Sequence, residues 1–144
     1  RTQAILGFEQ RLRGAIDAFI ASRVEDPDDA FLGNIPRQYR LHVWATQAAQ
    51  SGFIDTHIHE ESWLSGAYYV ELPEAIHADD QGHAGWIEFG RPFRGLPQLP
   101  DAALRHVRPE VGTLLLFPSF LFHRTVPYTG PGERISISFD LAAA

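Results

Sequence analysis

Apolar residues near the start of the chain recur every three or four positions. They are Ile5, Phe8, Leu12, Ala15, Ile16, Phe19 and Ile20. This spacing predicts an amphipathic α-helix. The stretch 25–29 ends the helix, because proline and clustered aspartates favour a turn. We expect this N-terminal helix to pack on the outside of a sheet.

From residue 39 onward the pattern changes to short strands separated by glycine, proline and aspartate. The predicted strands cover residues 39–45, 53–59, 63–72, 84–89, 113–117, 120–125 and 133–141. Many short strands with such breaks are typical of a β-sandwich, a jelly roll or a barrel. We therefore predict a single domain, 1–144, with an N-terminal helical segment at 1–36 and a β core at 37–144.

The last predicted strand alternates most clearly between apolar and polar residues. Successive side chains of a strand point to opposite faces, so each set occupies one face. The apolar set is Ile135, Ile137, Phe139 and Leu141. The polar set is Arg134, Ser136, Ser138 and Asp140. A polar face of this kind indicates either a polar interior or a solvated side of the sheet.

Composition and charge narrow the class of protein. The length of 144 residues fits one domain, and 44% hydrophobic with 21% charged residues are ordinary globular values. The formal net charge of −6 argues against a nucleic-acid or anionic-membrane partner, which a basic surface would attract. No apolar run reaches the ~18 residues of a membrane span, and no signal peptide is visible. We expect a cytoplasmic protein with no membrane partner.

The chain contains neither cysteine nor methionine. The absence of cysteine excludes disulfides, thiolate metal sites and a cysteine nucleophile. A metal bound by this chain must therefore be held by histidine, aspartate, glutamate or backbone oxygen, and seven histidines are present.

Three of these histidines form a candidate metal site. His57 and His59 lie two residues apart in a predicted strand, so their rings face the same side. His123 ends the mostly apolar stretch 112–123, which favours a buried ring. Neutral imidazole is a good ligand for Fe, Zn, Cu or Ni. Taken alone, the pair also fits a solvated strand, and His123 also fits a core side chain bonded to the backbone.

Arg134 and Ser136 form a candidate carboxylate clamp. They share one face of the last strand, and a guanidinium fork beside a hydroxyl suits a small carboxylate. Alone, Arg134 also fits an exposed arginine on an edge strand. The clamp together with the three histidines predicts one pocket that holds a metal and a carboxylate.

Three segments of the chain resemble the motifs of the 2-oxoglutarate-Fe(II) oxygenase family. They are 57–70 (HIHEESWLSGAYYV), 109–123 (PEVGTLLLFPSFLFH) and 134–140 (RISISFD), and 85–92 (GWIEFGRP) fits a weaker block of the same pattern. The resemblance covers roughly residues 40–141, with the segments in the order of the family. The last two of the three segments are together specific, whereas a His-x-His pair alone is not.

The resemblance implies a mainly β fold, a double-stranded β-helix. This fold is a cupin-like jelly roll with iron near its open end. The resembled family is related to the prolyl hydroxylases. By the same resemblance, His57, His59 and His123 bind Fe(II).

The resemblance also implies how a cosubstrate is bound. Arg134 and Ser136 hold the distal carboxylate of 2-oxoglutarate, and Tyr69 donates a hydrogen bond to the same carboxylate. The choice of Tyr69 over Tyr68 rests on where related prolyl hydroxylases carry their paired tyrosines.

One position departs from the family pattern. Most of the superfamily has aspartate or glutamate two residues after the first histidine, whereas this chain has His59. Three neutral imidazoles leave more positive charge on the metal than two imidazoles and a carboxylate do. Related cupin dioxygenases have iron sites with three histidines, so this departure does not exclude catalysis. Asp55, two residues before His57, is the reserve ligand or a partner that orients a ligand.

The function implied by the resemblance is that of an Fe(II)- and 2-oxoglutarate-dependent dioxygenase. This oxidoreductase hydroxylates a substrate with O2 and releases succinate and CO2. The substrate and the oligomeric state stay open, a homodimer included. One alternative is a cupin-type three-histidine dioxygenase that does not use 2-oxoglutarate, in which Arg134 should not matter. Another is a non-catalytic jelly-roll binding module, which would not turn over 2-oxoglutarate.

Overall fold

The predicted N-terminal helix is present as α1, Gln3–Ala21. Leu12 and Ile16 are its buried residues, four positions apart as the apolar spacing requires. The helix ends at Ser22, whose hydroxyl donates to the carbonyl of Phe19 at 2.7 Å. The acidic stretch that follows forms a turn, as predicted.

The structure is a computed structural model that describes residues 2–49, 52–78, 82–97 and 103–144. It divides into two units, residues 1–37 and 38–144, within one residue of the predicted limit of the helical segment. The union of these units in one domain, and the packing of α1 on the outside of a sheet, stay predictions. None of the described helices combines the length and hydropathy of a membrane-spanning segment.

The second unit contains two antiparallel sheets. Its strands are β1 (Tyr39–Ala48), β2 (Leu64–Glu71), β3 (Ile87–Phe89), β4 (Arg105–Val107), β5 (Leu114–Pro118), β6 (His123–Thr125) and β7 (Arg134–Ala143). The larger sheet has the order β1-β7-β2-β5 and the smaller one β4-β3-β6. The two sheets meet where Phe89 of β3 contacts Phe117 of β5, with ring centroids 5.0 Å apart. The predicted mainly β architecture is confirmed.

β7 lies in the interior of the larger sheet. It pairs with β1 along its whole length, and its residues 135–141 also pair with β2. The predicted alternation is present, because Phe139 and Leu141 are fully buried on one face while Arg134 and Ser136 are buried on the other. The polar face lines a cavity, so it forms a polar interior and not a solvated side.

β2 approaches β7 closely and carries a bulge. Tyr69 pairs with Ser136 and Glu71 pairs with the adjacent Ile135, so β2 has one extra residue between Tyr69 and Glu71. Gly66 lies opposite Phe139. A Cβ at this glycine would lie 2.5 Å from the carbonyl oxygen of Leu115 and would clash with the Phe139 ring.

A buried carboxylate joins the three strands of the smaller sheet. Glu88, at the centre of β3, is only 2% exposed. It accepts hydrogen bonds from Arg124 of β6 at 2.6 Å, from His106 of β4 at 2.9 Å and from Arg91. Glu88 therefore joins the basic side chains of this region on the side of the sheet away from the apolar contact with β5.

Several predicted elements differ from the structure. The segment 53–59 is not a strand, because its amide bonds do not form a continuous ladder: His57 bridges His123, but His59 bonds across a turn to Ser119. The predicted strand 84–89 shortens to β3, since Gly85 has a positive φ of 73° and turns the chain. Neither β4 nor the short helix α2, Glu74–Ala78, was predicted.

Candidate metal and carboxylate site

The structure brings the three predicted histidines together. One ring nitrogen from each of His57, His59 and His123 lies within 4.8 Å of the other two. The ring centroids of His57 and His123 are 4.1 Å apart, and His59 lies 5.0 Å and 5.3 Å from them. In the part of the chain that the structure describes, no other group of three histidine or acidic side chains has this geometry.

Backbone hydrogen bonds hold these histidines in place without a full strand. His57 and His123 exchange amide-to-carbonyl bonds of 3.0 Å and 3.1 Å, and His59 donates its amide to Ser119 at 3.1 Å. The ring of His123 is 6% exposed and packs on Phe117 at a centroid distance of 4.7 Å. The predicted shared face of His57 and His59 is therefore present, although the predicted strand is not.

Main-chain carbonyls fix the tautomers of two rings. Nδ1 of His57 donates to the carbonyl of Asp55 at 2.8 Å, and Nδ1 of His123 donates to the carbonyl of Leu121 at 2.9 Å. A carbonyl oxygen only accepts, so Nδ1 carries the proton and the neutral ring keeps its lone pair on Nε2. Metal-binding histidines are usually held in this way.

A carboxylate fixes the third ring. Nδ1 of His59 lies 2.7 Å from one oxygen of Asp140, and the hydroxyl of Ser65 donates to the other at 2.6 Å. Burial raises the pKa of Asp140, but the hydrogen bonds from His59 and Ser65 outweigh it and hold the pKa below its ordinary value. Asp140 is therefore an anion, and it leaves Nε2 of His59 free to bind a metal.

The sequence placed Asp140 on the polar face of the last strand but gave it no role. Its contact with Ser65 depends on the pairing of β7 with β2, in which these two residues are directly opposite. Neither strand alone contains a signal for that register, although the alternation in β7 does place Asp140 beside the clamp residues.

Burial keeps the His123 ring neutral. It lowers the pKa of His123 to about 4, and the hydrogen bond to Leu121 offsets only part of this effect. The neutral form is the one that binds a metal, so the ring has its ligand form at neutral pH.

Asp55 does not join the three histidines. Its carboxylate is exposed and accepts a hydrogen bond from the amide of Thr56 at 2.8 Å. Its main-chain carbonyl, and not its side chain, orients His57. The geometry therefore does not support the predicted role of the Asp55 carboxylate as a reserve metal ligand.

A cavity of about 180 Å3 contains the histidines and the predicted clamp. Arg134, Ser136 and Tyr69 line it and are at most 4% exposed. Tyr68 is half-buried, pairs with Ile137 and is not part of the lining. Of the two tyrosines, Tyr69 is thus the one that faces the cavity.

Arg134 is a buried cation for which the described residues provide no carboxylate partner. Its guanidinium carbon lies 5.3 Å from the centre of the Tyr69 ring. Its Nε and the Tyr69 hydroxyl are both buried, and neither has a hydrogen-bond partner in the described part of the chain. Burial lowers the pKa of Arg134 and raises that of Tyr69, an effect that the nearby guanidinium partly offsets. Because a buried charge needs a counter-charge, these unused donors point to a bound anion.

The sequence matches a known family over most of its length. Residues 42–140 match the family described as "Putative 2OG-Fe(II) oxygenase". The chain therefore belongs to this family, whose members are oxidoreductases. No curated protein matches the sequence.

Solved structures with a similar fold come from the same group of enzymes. A Pseudomonas putida prolyl-4-hydroxylase is 17% identical with a TM-score of 0.58, covering 100% of this chain and 67% of that one. A viral collagen prolyl hydroxylase from Paramecium Bursaria Chlorella virus-1, in a 2OG complex, is 13% identical with a TM-score of 0.57, covering 99% and 74%.

A 2OG-Fe(II) oxygenase family oxidoreductase from Burkholderia pseudomallei is 16% identical with a TM-score of 0.54, covering 81% of this chain and 54% of that one. This chain thus spans between about half and three-quarters of the length of these three structures. At such identities the similarity concerns the fold, and it confirms the predicted jelly roll.

Proposed function

We propose that the chain is an Fe(II)- and 2-oxoglutarate-dependent oxygenase that hydroxylates a substrate and releases succinate and CO2. Membership of the oxygenase family supports the reaction class. The observation that carries the proposal is Arg134, a buried cation without a carboxylate partner among the described residues, which lines the same cavity as the three histidines.

In this proposal His57, His59 and His123 bind Fe(II) through Nε2. The fit rests on the tautomers, because every Nδ1 already donates to a carbonyl or a carboxylate. When bound, iron and 2-oxoglutarate supply the activation of O2 and the electrons of decarboxylation. The rings contribute fixed directions and neutral donor atoms.

Arg134, Ser136 and Tyr69 bind the distal carboxylate of 2-oxoglutarate. The guanidinium supplies the opposite charge, and the two hydroxyls add hydrogen bonds, a combination that is stronger than neutral contacts alone. A cavity of about 180 Å3 suits a small diacid, since sites for drug-sized ligands usually measure about 300–1,000 Å3.

The three-histidine donor set also fits a cupin-type dioxygenase that does not use 2-oxoglutarate. Such an enzyme has no need of a buried guanidinium Nε and a buried phenol hydroxyl that have no hydrogen-bond partner among the described residues. Arg134 and Tyr69 therefore favour the 2-oxoglutarate-dependent reaction over this alternative.

The test is anaerobic reconstitution with Fe(II), followed by 2-oxoglutarate and O2, with succinate as the product measured. Turnover without a prime substrate suffices, so the unknown substrate is not needed. We expect succinate only when iron, 2-oxoglutarate and O2 are all present. Iron bound at full stoichiometry without any succinate would contradict 2-oxoglutarate dependence.

Arg134→Met separates the two reactions. Loss of a charge-assisted clamp is worth about 1.5–3 kcal/mol, so we expect 2-oxoglutarate to bind about 10- to 150-fold more weakly. Arg105→Met, at an exposed arginine of β4, is the matched control and should leave this affinity unchanged. Equal 2-oxoglutarate affinity in both variants and the wild type would exclude Arg134 from the clamp.

A further inference from the structure

We infer that Asp140 is a positioning residue of the metal site that acts through His59. In this role it supplies the negative charge that three neutral imidazole ligands lack. The inference rests on the proposed function, because it requires that the three histidines bind Fe(II). It concerns a residue that does not itself lie among the three ligands.

The carboxylate of Asp140 is held from two sides. One oxygen accepts from Nδ1 of His59 at 2.7 Å, and the other accepts from the hydroxyl of Ser65 at 2.6 Å. The side chains of His59 and Asp140 are 20% and 15% exposed, so solvent competes only in part for this contact. A carboxylate fixed in this way holds the plane of the His59 ring and keeps its proton on Nδ1.

His59 differs from the other two rings in the charge of its partner. His57 and His123 donate to neutral main-chain carbonyls, whereas His59 donates to an anion. An imidazole that donates to a carboxylate is a more basic ligand at its other nitrogen. Negative charge on Asp140 therefore reaches a metal through Nε2 of His59, without a direct bond to the carboxylate.

The fold explains why an aspartate can occupy this place. Residues 140 and 65 are directly opposite in the antiparallel pair of β7 and β2, which brings their side chains to one face. The contact of Asp140 with Ser65 is therefore built into the centre of the larger sheet, and it holds the carboxylate in place for His59.

The test compares Asp140→Asn in two backgrounds. The asparagine keeps the shape and one acceptor oxygen but removes the charge. We expect it to weaken anaerobic Fe(II) binding about 10- to 100-fold in the wild-type background, as the loss of such a partner typically does. In a His59→Asp background, which keeps a third metal ligand but has no imidazole between Asp140 and the metal, the same substitution should change Fe(II) affinity less than about twofold. Asp28→Asn, at an exposed aspartate, is the matched control.

A second measurement does not require bound iron. In metal-free protein at alkaline pH, 15N NMR of the histidine rings should show the Nδ1–H tautomer of His59. Asp140→Ala should shift this ring toward the Nε2–H tautomer while the tautomers of His57 and His123 stay unchanged. Circular dichroism establishes that each variant is folded.

The outcomes separate this inference from the proposed function. A wild type that binds no Fe(II) would overturn both. Normal Fe(II) affinity in Asp140→Asn, with iron bound by the wild type, would overturn the inference alone. An equal loss of affinity in both backgrounds would show that Asp140 acts on the fold and not through His59, and this would also overturn it.

Discussion

The rings of His57 and His123 are oriented by the same local device. Each donates its Nδ1 proton to the carbonyl of the residue two positions earlier, Asp55 and Leu121 respectively. In both cases the acceptor carbonyl belongs to the same short segment of chain as the ring. The direction of these two rings is therefore set by the nearby chain, whereas that of the His59 ring depends on Asp140 of another strand.

Replacement of a ligand should remove the metal. We expect His57→Ala and His123→Ala each to abolish Fe(II) binding, because two imidazoles do not complete the site. His42→Ala, at an exposed histidine of β1 outside the group, should bind Fe(II) at the wild-type stoichiometry. Metal analysis after anaerobic loading measures this. Full stoichiometry in both ligand variants would refute the assignment.

Removal of the Tyr69 hydroxyl should have opposite effects on stability and binding. This buried oxygen has no hydrogen-bond partner among the residues described, so Tyr69→Phe should leave the free energy of unfolding unchanged or raise it by about 1 kcal/mol. The same change should weaken 2-oxoglutarate binding about 5- to 10-fold, since one hydrogen bond is lost. Denaturant titration and ligand titration measure the two effects. Unchanged affinity would exclude the Tyr69 hydroxyl from the clamp.

Gly66→Ala should destabilise the larger sheet. A methyl group there meets the Phe139 ring and lies 2.5 Å from the Leu115 carbonyl oxygen, so the strands must move apart. We expect the free energy of unfolding to fall by about 2–3 kcal/mol. The control is Gly7→Ala on α1, where an added Cβ would meet no described atom within 4 Å apart from the nearby helix backbone, and it should instead stabilise by about 0.5–1 kcal/mol. An unchanged free energy of unfolding in Gly66→Ala would show that the strands can move apart with little loss of stability.

At the level of elements, the smaller sheet depends on the charge of Glu88. Burial raises the pKa of Glu88, but the hydrogen bonds from Arg91, Arg124 and His106 outweigh it and lower the pKa to about 2. A carboxyl whose pKa is lowered by folding stabilises the protein above its unfolded pKa. This contribution is lost as the pH falls through the folded pKa.

The pH window of this contribution follows from the two pKa values. Stability due to Glu88 should be fully present above pH 4.5 and lost by about pH 2. We expect the wild type to lose about 2 kcal/mol more than Glu88→Gln across this range. Denaturant titrations at several pH values measure the difference. Parallel pH profiles for the two proteins would show that the three donors do not stabilise the anion.

The elements that the sequence predicted correctly are those with a strong local pattern. α1 and β7 show clear periodicity, and both were found close to their predicted limits. The segment 53–59 has the residue pattern of a strand, but a strand also needs a continuous ladder of hydrogen bonds. The amide of His59 leaves that ladder and donates to the carbonyl of Ser119. β4 has only three residues, too few for alternation to be visible.

The candidate site also has parts that a local pattern predicts and parts that depend on contacts between distant segments. Arg134 and Ser136 belong to one strand, so their shared face could be read from spacing alone. The pairing of β7 with β2 places Ser65 opposite Asp140, 75 positions away, and the contact of Asp140 with His59 joins residues 81 positions apart. Spacing does not specify which strands become neighbours, so this part of the site became visible only in the folded chain.

For the molecule as a whole, ligands should raise the melting temperature in two steps. A ligand at a hundredfold excess over its Kd stabilises the folded state by about 2.7 kcal/mol, or roughly 10 °C for a chain of this size. We expect anaerobic Fe(II) to raise the melting temperature and 2-oxoglutarate to raise it further. In Arg134→Met the first step should remain and the second should shrink to about half or less at the same 2-oxoglutarate concentration. A second step of normal size in that variant would argue against binding at Arg134.

The position of β7 between β1 and β2 has a consequence for how activity is lost. This strand carries Arg134, Ser136 and Asp140, and breaking its pairing on either side means opening the larger sheet. Its amides should therefore be among the slowest to exchange with solvent, through global unfolding and not through local openings. Partial unfolding can leave the candidate site intact only where it affects other parts of the chain. The fraction of molecules with an intact candidate site should therefore follow the fraction in which the larger sheet is folded.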